Sequence, residues 1–149
     1  MATWTARTSV SADPDEVLAL LTEPDAIARW APIGFEVIDF DGERLQAGDR
    51  VAVRGTLGGR GMEFEVQVSE AEDGHLQLTA RGPIRLDVEY RAVPAARGSE
   101  VRASVKVSGG GLFGRLLAQA TDALLAAGAL TTAVNAIARE LELQPALAA

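Results

Sequence analysis

The chain has 149 residues, of which 48% are hydrophobic and 23% are charged, a composition typical of a folded globular domain and not of a disordered chain. It contains no cysteine and a single histidine, His75, which excludes a disulfide framework, a thiolate metal site, a cysteine nucleophile and a multi-histidine metal site. The net charge of −7 disfavours nucleic acid as a partner. We therefore expect no metal, no cofactor and no nucleic acid.

The first predicted elements are a strand and two short helices. Residues Thr3 to Ser11 alternate between the two faces of a half-buried strand. Asp13 is a suitable N-cap for a helix whose first residue is Pro14. A second short helix is predicted from Asp25 to about Trp30.

Six further strands follow, and turn residues separate them. Each strand has an apolar face and a polar or charged face, which is typical of an antiparallel sheet that is packed on one side and solvated on the other. The predicted ranges are Phe35 to Phe40, Arg50 to Leu57, Met62 to Ser69, His75 to Arg81, Ile84 to Val93 and Val101 to Val107.

The period changes after the glycines at 109–111. The change predicts one long helix from Leu112 to Leu143, stopped by Pro145. Its predicted apolar face consists of Phe113, Leu116, Leu117, Ala120, Leu124, Ala127, Thr131, Val134, Ala138 and Leu141. A membrane span needs about 20 strongly apolar residues, and this stretch is rich in alanine, glycine and threonine, so we expect a buried helix instead. The N-terminus has no secretion-signal pattern, so a cytoplasmic location is expected.

The order of these elements predicts one α+β domain over residues 1–149. A curved antiparallel sheet of about seven strands wraps a long C-terminal helix, and two short helices lie between the first and second strands. The final helix is the only element long enough to cover the apolar face of the sheet.

Three segments resemble a known group of proteins: Val10-Ser-Ala-Asp-Pro-Asp-Glu-Val17, Leu20-Leu-Thr-Glu-Pro-Asp-Ala-Ile-Ala-Arg-Trp30 and Ala47-Gly-Asp-Arg-Val51. They are similar to the first strand and helix, the two short helices and the entry to the third strand of the helix-grip superfamily. This superfamily includes the START lipid-transfer domains, the birch-pollen allergens and the bacterial polyketide cyclase/dehydrase group, which the chain resembles most. The resemblance covers essentially the whole chain and implies a bacterial protein with a cavity between sheet and final helix, but it does not fix the function.

Small residues on the final helix, opposite the sheet, also favour a cavity. Small side chains against a curved sheet leave unfilled volume, although close contact between helix and sheet requires small residues equally well. The small residues are Ala120, Ala123, Ala126, Ala127, Gly128, Ala129 and Thr131. The candidate cavity-lining residues are Trp30, Met62, Phe64, Leu78, Leu86, Tyr90, Leu124 and Gly128.

Few of the candidates are polar. Trp30 either stacks on a ligand or pins the short helices by packing. Tyr90 is either a polar anchor or proton donor for a ligand, or a core tyrosine bonded to backbone. Arg54 is predicted to face solvent unless a bulge shifts its strand by one residue, and His75 is predicted to be a surface residue.

Three functions stay open at this point. The first is the binding or carrying of a lipophilic small molecule, the second is a polyketide cyclase/aromatase, and the third is an interaction module without a ligand. The third would show a full core and an exposed patch formed by Leu117, Leu125, Leu130 and Ile137, and such a patch would also allow a homodimer. Catalytic residues are not identified, and whether the protein is an enzyme is left undecided.

Overall fold

The computed structural model describes residues 2–30, 35–40, 42–57, 60–126 and 128–148, and it describes their side chains except at positions 2, 57, 60, 112, 113, 117, 124 and 142–148. The described elements follow the predicted order, with four helices and seven strands. They are β1 (Ala2–Val10), α1 (Pro14–Thr22), α2 (Pro24–Trp30), β2 (Phe35–Asp39), β3 (Arg50–Leu57), β4 (Arg60–Glu72), β5 (His75–Arg81), β6 (Arg85–Ala95), β7 (Gly98–Ser108), α3 (Gly111–Ala126) and α4 (Ala129–Ala148).

The seven strands form one curved antiparallel sheet in the order β1-β7-β6-β5-β4-β3-β2. Neighbouring strands in this order are consecutive in the chain, except that β1 pairs with β7. Alternate residues face the helices, as β7 illustrates: Val101, Val105 and Val107 are buried, whereas Arg102 and Lys106 are exposed. The predicted α+β architecture is therefore confirmed.

One side-chain hydrogen bond caps α1, and another joins α2 to it. The Asp13 carboxylate accepts a hydrogen bond from the Glu16 backbone N–H at 2.9 Å, so the predicted N-cap of α1 is present. The Trp30 indole N–H donates to the Leu20 carbonyl oxygen at 3.0 Å, and this buried bond fastens the end of α2 to α1. Trp30 thus has the packing role, which is one of the two roles that the sequence predicted for it.

The prediction of a single final helix from Leu112 to Leu143 is wrong, because Gly128 separates α3 from α4. Gly128 has a φ of +99°, which glycine adopts readily at the end of a helix. Its N–H donates to the Leu125 carbonyl at 3.0 Å, and its own carbonyl accepts from the Thr132 N–H at 2.9 Å. Pro145 does not stop the helix either, since α4 continues to Ala148.

The buried face of the final helices also differs from the prediction. In α3 the buried positions include Gly114, Thr121 and Leu125, one residue out of phase with the predicted face, and Leu116 is 57% exposed. A Cβ at Gly114 would lie 3.2 Å from the Pro83 carbonyl oxygen, so the helix approaches the backbone of the sheet closely. The close approach requires a residue without a side chain at position 114, and it accompanies the shift in phase.

The described residues of the patch that an interaction module would expose do not lie on the surface. Leu125, Leu130 and Ile137 are 5%, 3% and 0% exposed and belong to the core. The fourth residue, Leu117, has its side chain outside the described part. The described residues of this patch thus cannot pair two subunits. No helix in the described ranges has the length and apolar character needed to cross a membrane.

Candidate functional site

A cavity of about 180 Å³ lies between the inner face of the sheet and helices α2 and α3. Residues from every element except β1, α1 and α4 contribute to its described wall. The wall consists of Pro24, Ile27, Trp30, Phe35, Val37, Leu45, Val51, Val53, Gly55, Phe64, Val66, Leu76, Leu78, Ala80, Leu86, Val88, Tyr90, Val105, Thr121 and Leu125.

The cavity exists because α1 and α3 lie at opposite ends of the central strands. At one end, a Cβ at Gly74 would lie 3.0 Å from the Pro14 side chain, so α1 packs on the β4–β5 hairpin. At the other end, Gly114 of α3 packs on the turn between β5 and β6 at Pro83. The inner face of β5 and β6 between these contacts lies against α2 and the cavity.

The sequence-based reason for a cavity was therefore wrong. Ala120, Ala123, Ala126 and Thr131 were expected to face the sheet and leave a void, but they are exposed. The volume arises from the spacing of helices along the strands and not from small side chains above them.

The structure brings most of the sequence-predicted site residues together. Those in the cavity wall are Trp30, Phe64, Leu78, Leu86 and Tyr90. Met62 is buried in the core but is not in the described wall, and Gly128 lies half-buried at the break between α3 and α4. The side chain of Leu124 lies outside the described residues. A role in binding a ligand stays a prediction for all of them.

The sequence reasoning missed wall residues on the helices and on β2. Thr121 and Leu125 were missed because the predicted face of α3 was one residue out of phase. Ile27, Phe35 and Val37 were missed because a two-turn helix and a five-residue strand give little periodic signal. These three residues are half-buried at one side of the cavity, and the sequence does not indicate this position.

Tyr90 is the most distinctive of the buried polar residues in the cavity wall. Its side chain is 1% exposed, and its ring centroid lies 4.9 Å from that of Trp30, with the planes tilted by 59°. Burial raises the pKa of the phenol well above its usual 10.0, so the group is neutral and can donate a proton to a hydrogen bond. The hydroxyl oxygen has no hydrogen-bond partner among the described residues. The predicted alternative, a core tyrosine bonded to backbone, is not what the described residues show.

The remaining polar atoms of the described wall are few. The Trp30 indole N–H is occupied by the Leu20 carbonyl, and Thr121 is buried and has an interaction of its own. No carboxylate, histidine, lysine or arginine belongs to the described wall. Within the described ranges there is also no cluster of side chains that could hold a metal ion.

Charged side chains lie instead on the outer face of the sheet. Arg54 is exposed, as predicted, and its guanidinium lies 3.3 Å from the Glu63 carboxylate. His75 contacts the Glu89 carboxylate at 3.0 Å. None of these four residues belongs to the described cavity wall.

The Asp87 carboxylate belongs to the same outer face. Its burial favours a higher pKa, but hydrogen bonds from Arg85 and Thr79 outweigh that effect and lower the pKa. The ionised form is thus the stable one, and the outer face carries a network of charge pairs away from the cavity.

Comparison with known proteins agrees with this architecture. Residues 1–142 match the sequence model of a family described as polyketide cyclase/dehydrase and lipid transport. The chain belongs to the polyketide cyclase/dehydrase and lipid-transport family. The resemblance to the helix-grip superfamily is confirmed.

Solved structures of similar proteins show the same fold. A protein from Chromobacterium violaceum has a TM-score of 0.70 at 15% identity, with 95% of this chain and 99% of that chain covered. The Zhui aromatase/cyclase from Streptomyces sp. R1128 has a TM-score of 0.69 at 15% identity, covering 95% and 93%. A START superfamily protein from Mycobacterium smegmatis has a TM-score of 0.66 at 14% identity, covering 93% and 98%. A comparison with curated proteins found no match.

Membership of this polyketide cyclase/dehydrase and lipid-transport family is compatible with both catalysis and carriage. Identities of 14–15% to the solved structures define the fold alone. The choice between the two functions therefore depends on the side chains of the cavity wall.

Proposed function

We propose that this family member binds and carries a lipophilic small molecule in the cavity between the sheet and α3. The observation that carries the proposal is the described wall, which is almost entirely carbon. The cavity measures about 180 Å³, which is similar in size to apolar cavities that accept a benzene-sized molecule. Burial of an apolar ligand in such a space stabilises the complex by removing both surfaces from water.

The same wall disfavours the cyclase/aromatase alternative. Ring closure on a polyketide is accelerated by proton transfer to or from a group positioned near the reacting atoms. The described wall offers no carboxylate, histidine or lysine, and Tyr90 is a neutral phenol. A cyclase that acts by positioning alone is the second candidate, and turnover of a ligand is the outcome that would support it.

The interaction-module alternative loses its two expected signals. The core contains a cavity, and three of the side chains expected on the surface, Leu125, Leu130 and Ile137, are buried. The hydrophobic core is continuous from Val10 in β1 to Leu141 in α4. This continuity supports our proposal that residues 1–149 act as one ligand-binding domain.

The test is to fill the cavity and measure binding of a hydrocarbon. Ala80 lies in the wall on β5, and Gln77 is exposed on the outer face of the same strand. We expect Ala80→Phe to weaken binding of isopropylbenzene, measured by calorimetry, by about tenfold or more, because the new ring occupies the ligand's space. The matched control Gln77→Phe is expected to bind as the wild type does.

Native mass spectrometry of the freshly purified protein extends the test to natural ligands. A bound molecule of a few hundred daltons or less, released unchanged on denaturation, agrees with carriage. Equal affinity of isopropylbenzene for wild type and Ala80→Phe would show that the cavity is not the binding site. A ligand that is converted to a cyclised product would replace the carrier by the enzyme.

A further inference from the structure

Three arginine residues lie next to each other on the outer face of the sheet, which is the face opposite the cavity. In the strand register, Arg102 of β7 is directly opposite Arg7 of β1 on one side and Arg91 of β6 on the other. All three residues are exposed. Residues directly opposite on neighbouring strands have Cβ atoms about 4.5–5.5 Å apart, and like charges in such pairs destabilise a sheet. We call these three residues the arginine row, and its charge opposes folding unless an anion offsets it.

The carboxylates of the chain offset this charge only in part. Glu100 accepts a hydrogen bond from the Arg102 guanidinium, and this bond, together with the charges of Arg102 and Arg7, lowers the pKa of Glu100. The side chains of Arg7 and Arg91 form no hydrogen bond or ion pair within the described ranges. The two outer members of the row therefore have guanidinium groups that can bind a ligand.

The arginine row lines an open depression of the outer face. Thr5 and Ser104 belong to the same depression, and they lie directly opposite each other, two residues along their strands from the row. Their side chains are short and leave room beside the longer arginines, and their hydroxyls form no hydrogen bond with the part of the chain that the structure describes. Glu89 is the acidic residue of the depression, and its carboxylate contacts His75. The depression thus combines guanidinium groups with hydroxyl donors.

The chemistry and spacing of the row restrict what can bind there. Guanidinium groups donate paired N–H···O bonds that match the oxygens of phosphate and carboxylate groups. Neighbouring strands lie about 4.8 Å apart, so the backbones of Arg7 and Arg91, on either side of β7, are roughly 10 Å apart. This separation suits an anion with two charged groups better than an anion with one. A phosphoryl group offers three acceptor oxygens where a carboxylate offers two, so two linked phosphoryl groups match the donors best.

We propose that the arginine row is a binding site for the diphosphate group of a small molecule. Arg7 and Arg91 bind one phosphoryl group each, Arg102 lies between them, and the hydroxyls of Thr5 and Ser104 donate to the same oxygens. The sheet separates this site from the cavity, so the site does not depend on the proposed carriage of a lipophilic molecule. It would give the protein a second ligand, of opposite chemical character, on the other face of the sheet.

Calorimetric titration of inorganic diphosphate into the full chain, at low ionic strength and without divalent cations, tests the site. We expect Arg91→Gln to weaken binding about tenfold or more, because hydrogen bonds to a charged group are lost. Arg91→Lys keeps the charge but not the paired N–H groups, so its affinity should lie between the two. The matched control is Arg54→Gln, which removes the same charge from the same face at an arginine that is paired with Glu63. We expect this control to bind diphosphate as the wild type does.

Thermal unfolding shows whether a loss of binding reflects a loss of structure. Without ligand, Arg91→Gln should have a Tm no lower than that of the wild type, because the change relieves repulsion between like charges. Diphosphate should raise the Tm of the wild type and of Arg54→Gln, since a ligand that binds only the folded state stabilises it. The same concentration should raise the Tm of Arg91→Gln much less.

Further probes identify the source of the group and the results that would overturn the proposal. ADP and geranyl diphosphate carry a diphosphate on a nucleoside and on an apolar chain, and the tighter binder of the two identifies the kind of molecule. Absence of diphosphate binding, or equal weakening by Arg91→Gln and Arg54→Gln, would show that the row is not a site. Tighter binding of succinate would replace phosphate by carboxylate, and tighter binding of poly-glutamate would replace the small molecule by an acidic protein. Isopropylbenzene binding tests the cavity separately from all of these.

Discussion

Removing the Tyr90 hydroxyl is expected to stabilise the protein when no ligand is bound. In most proteins a tyrosine-to-phenylalanine change in the core removes a hydrogen bond and lowers stability. Here the hydroxyl has no partner among the described residues, so the variant loses no bond and no longer buries a bare polar group. The ring itself is kept, together with its contact to Trp30.

The size of the effect follows from the desolvation of one hydroxyl. An unsatisfied buried polar group costs about 1–3 kcal/mol. We take the lower end of this range and expect a gain of about 1 kcal/mol in the free energy of unfolding. For a chain of this size that gain corresponds to a rise in Tm of about 2–4 °C.

The assay is thermal and urea unfolding of the wild type, Tyr90→Phe and a matched control, Ser99→Ala. Ser99 is 1% exposed, and its hydroxyl donates to the Ala12 carbonyl at 2.7 Å, so its removal breaks a real bond. We expect Ser99→Ala to lose about 1 kcal/mol, the opposite sign. A lower Tm for Tyr90→Phe without ligand would refute the reasoning, because it would show that the hydroxyl is already bonded.

Three further predictions follow from the same geometry. Tyr90 is the one tyrosine, and its pKa is raised in the folded protein, so its contribution to the free energy of unfolding is complete below pH 10.0 and is lost as the pH rises above that value. In an alkaline titration, tyrosinate absorbance should therefore appear only when the protein unfolds. Tyr90→Phe should unfold at higher pH than the wild type when the same titration is followed by circular dichroism. Gly128→Ala, which stabilises an ordinary helix interior, should here lower stability by about 1–2 kcal/mol in urea unfolding, because φ is +99°. Trp30→Phe should lower stability by about 0.5–1.5 kcal/mol through loss of the bond to the Leu20 carbonyl, and an unchanged urea midpoint would contradict that bond.

Local chemistry made most of the fold predictable. Strand alternation located all seven strands, since one face of the sheet is packed and the other solvated. Asp13 and Pro14 marked the start of α1 because a cap acts over a few residues. The break at Gly128 was missed because a glycine within a helical pattern reads equally as a helix residue or a helix end. Only the packing of the two helices decides between the two: α3 contacts β3 and β7, whereas α4 lies mainly against β1.

The cavity was predictable in part of its sheet wall, and in its helical wall only at Trp30. Side chains of a strand alternate between the two faces of the sheet, so the apolar pattern alone placed Phe64, Leu78, Leu86 and Tyr90 on the inner face. The position of α3 depends on how closely Gly114 approaches the sheet, which no local pattern encodes. The lack of a hydrogen-bond partner for the Tyr90 hydroxyl is harder still to predict from the sequence, since it depends on every group that surrounds the ring. A residue whose direction is fixed by local pattern can therefore lack a hydrogen-bond partner for reasons that lie elsewhere in the chain, and the stability of Tyr90→Phe measures that lack directly.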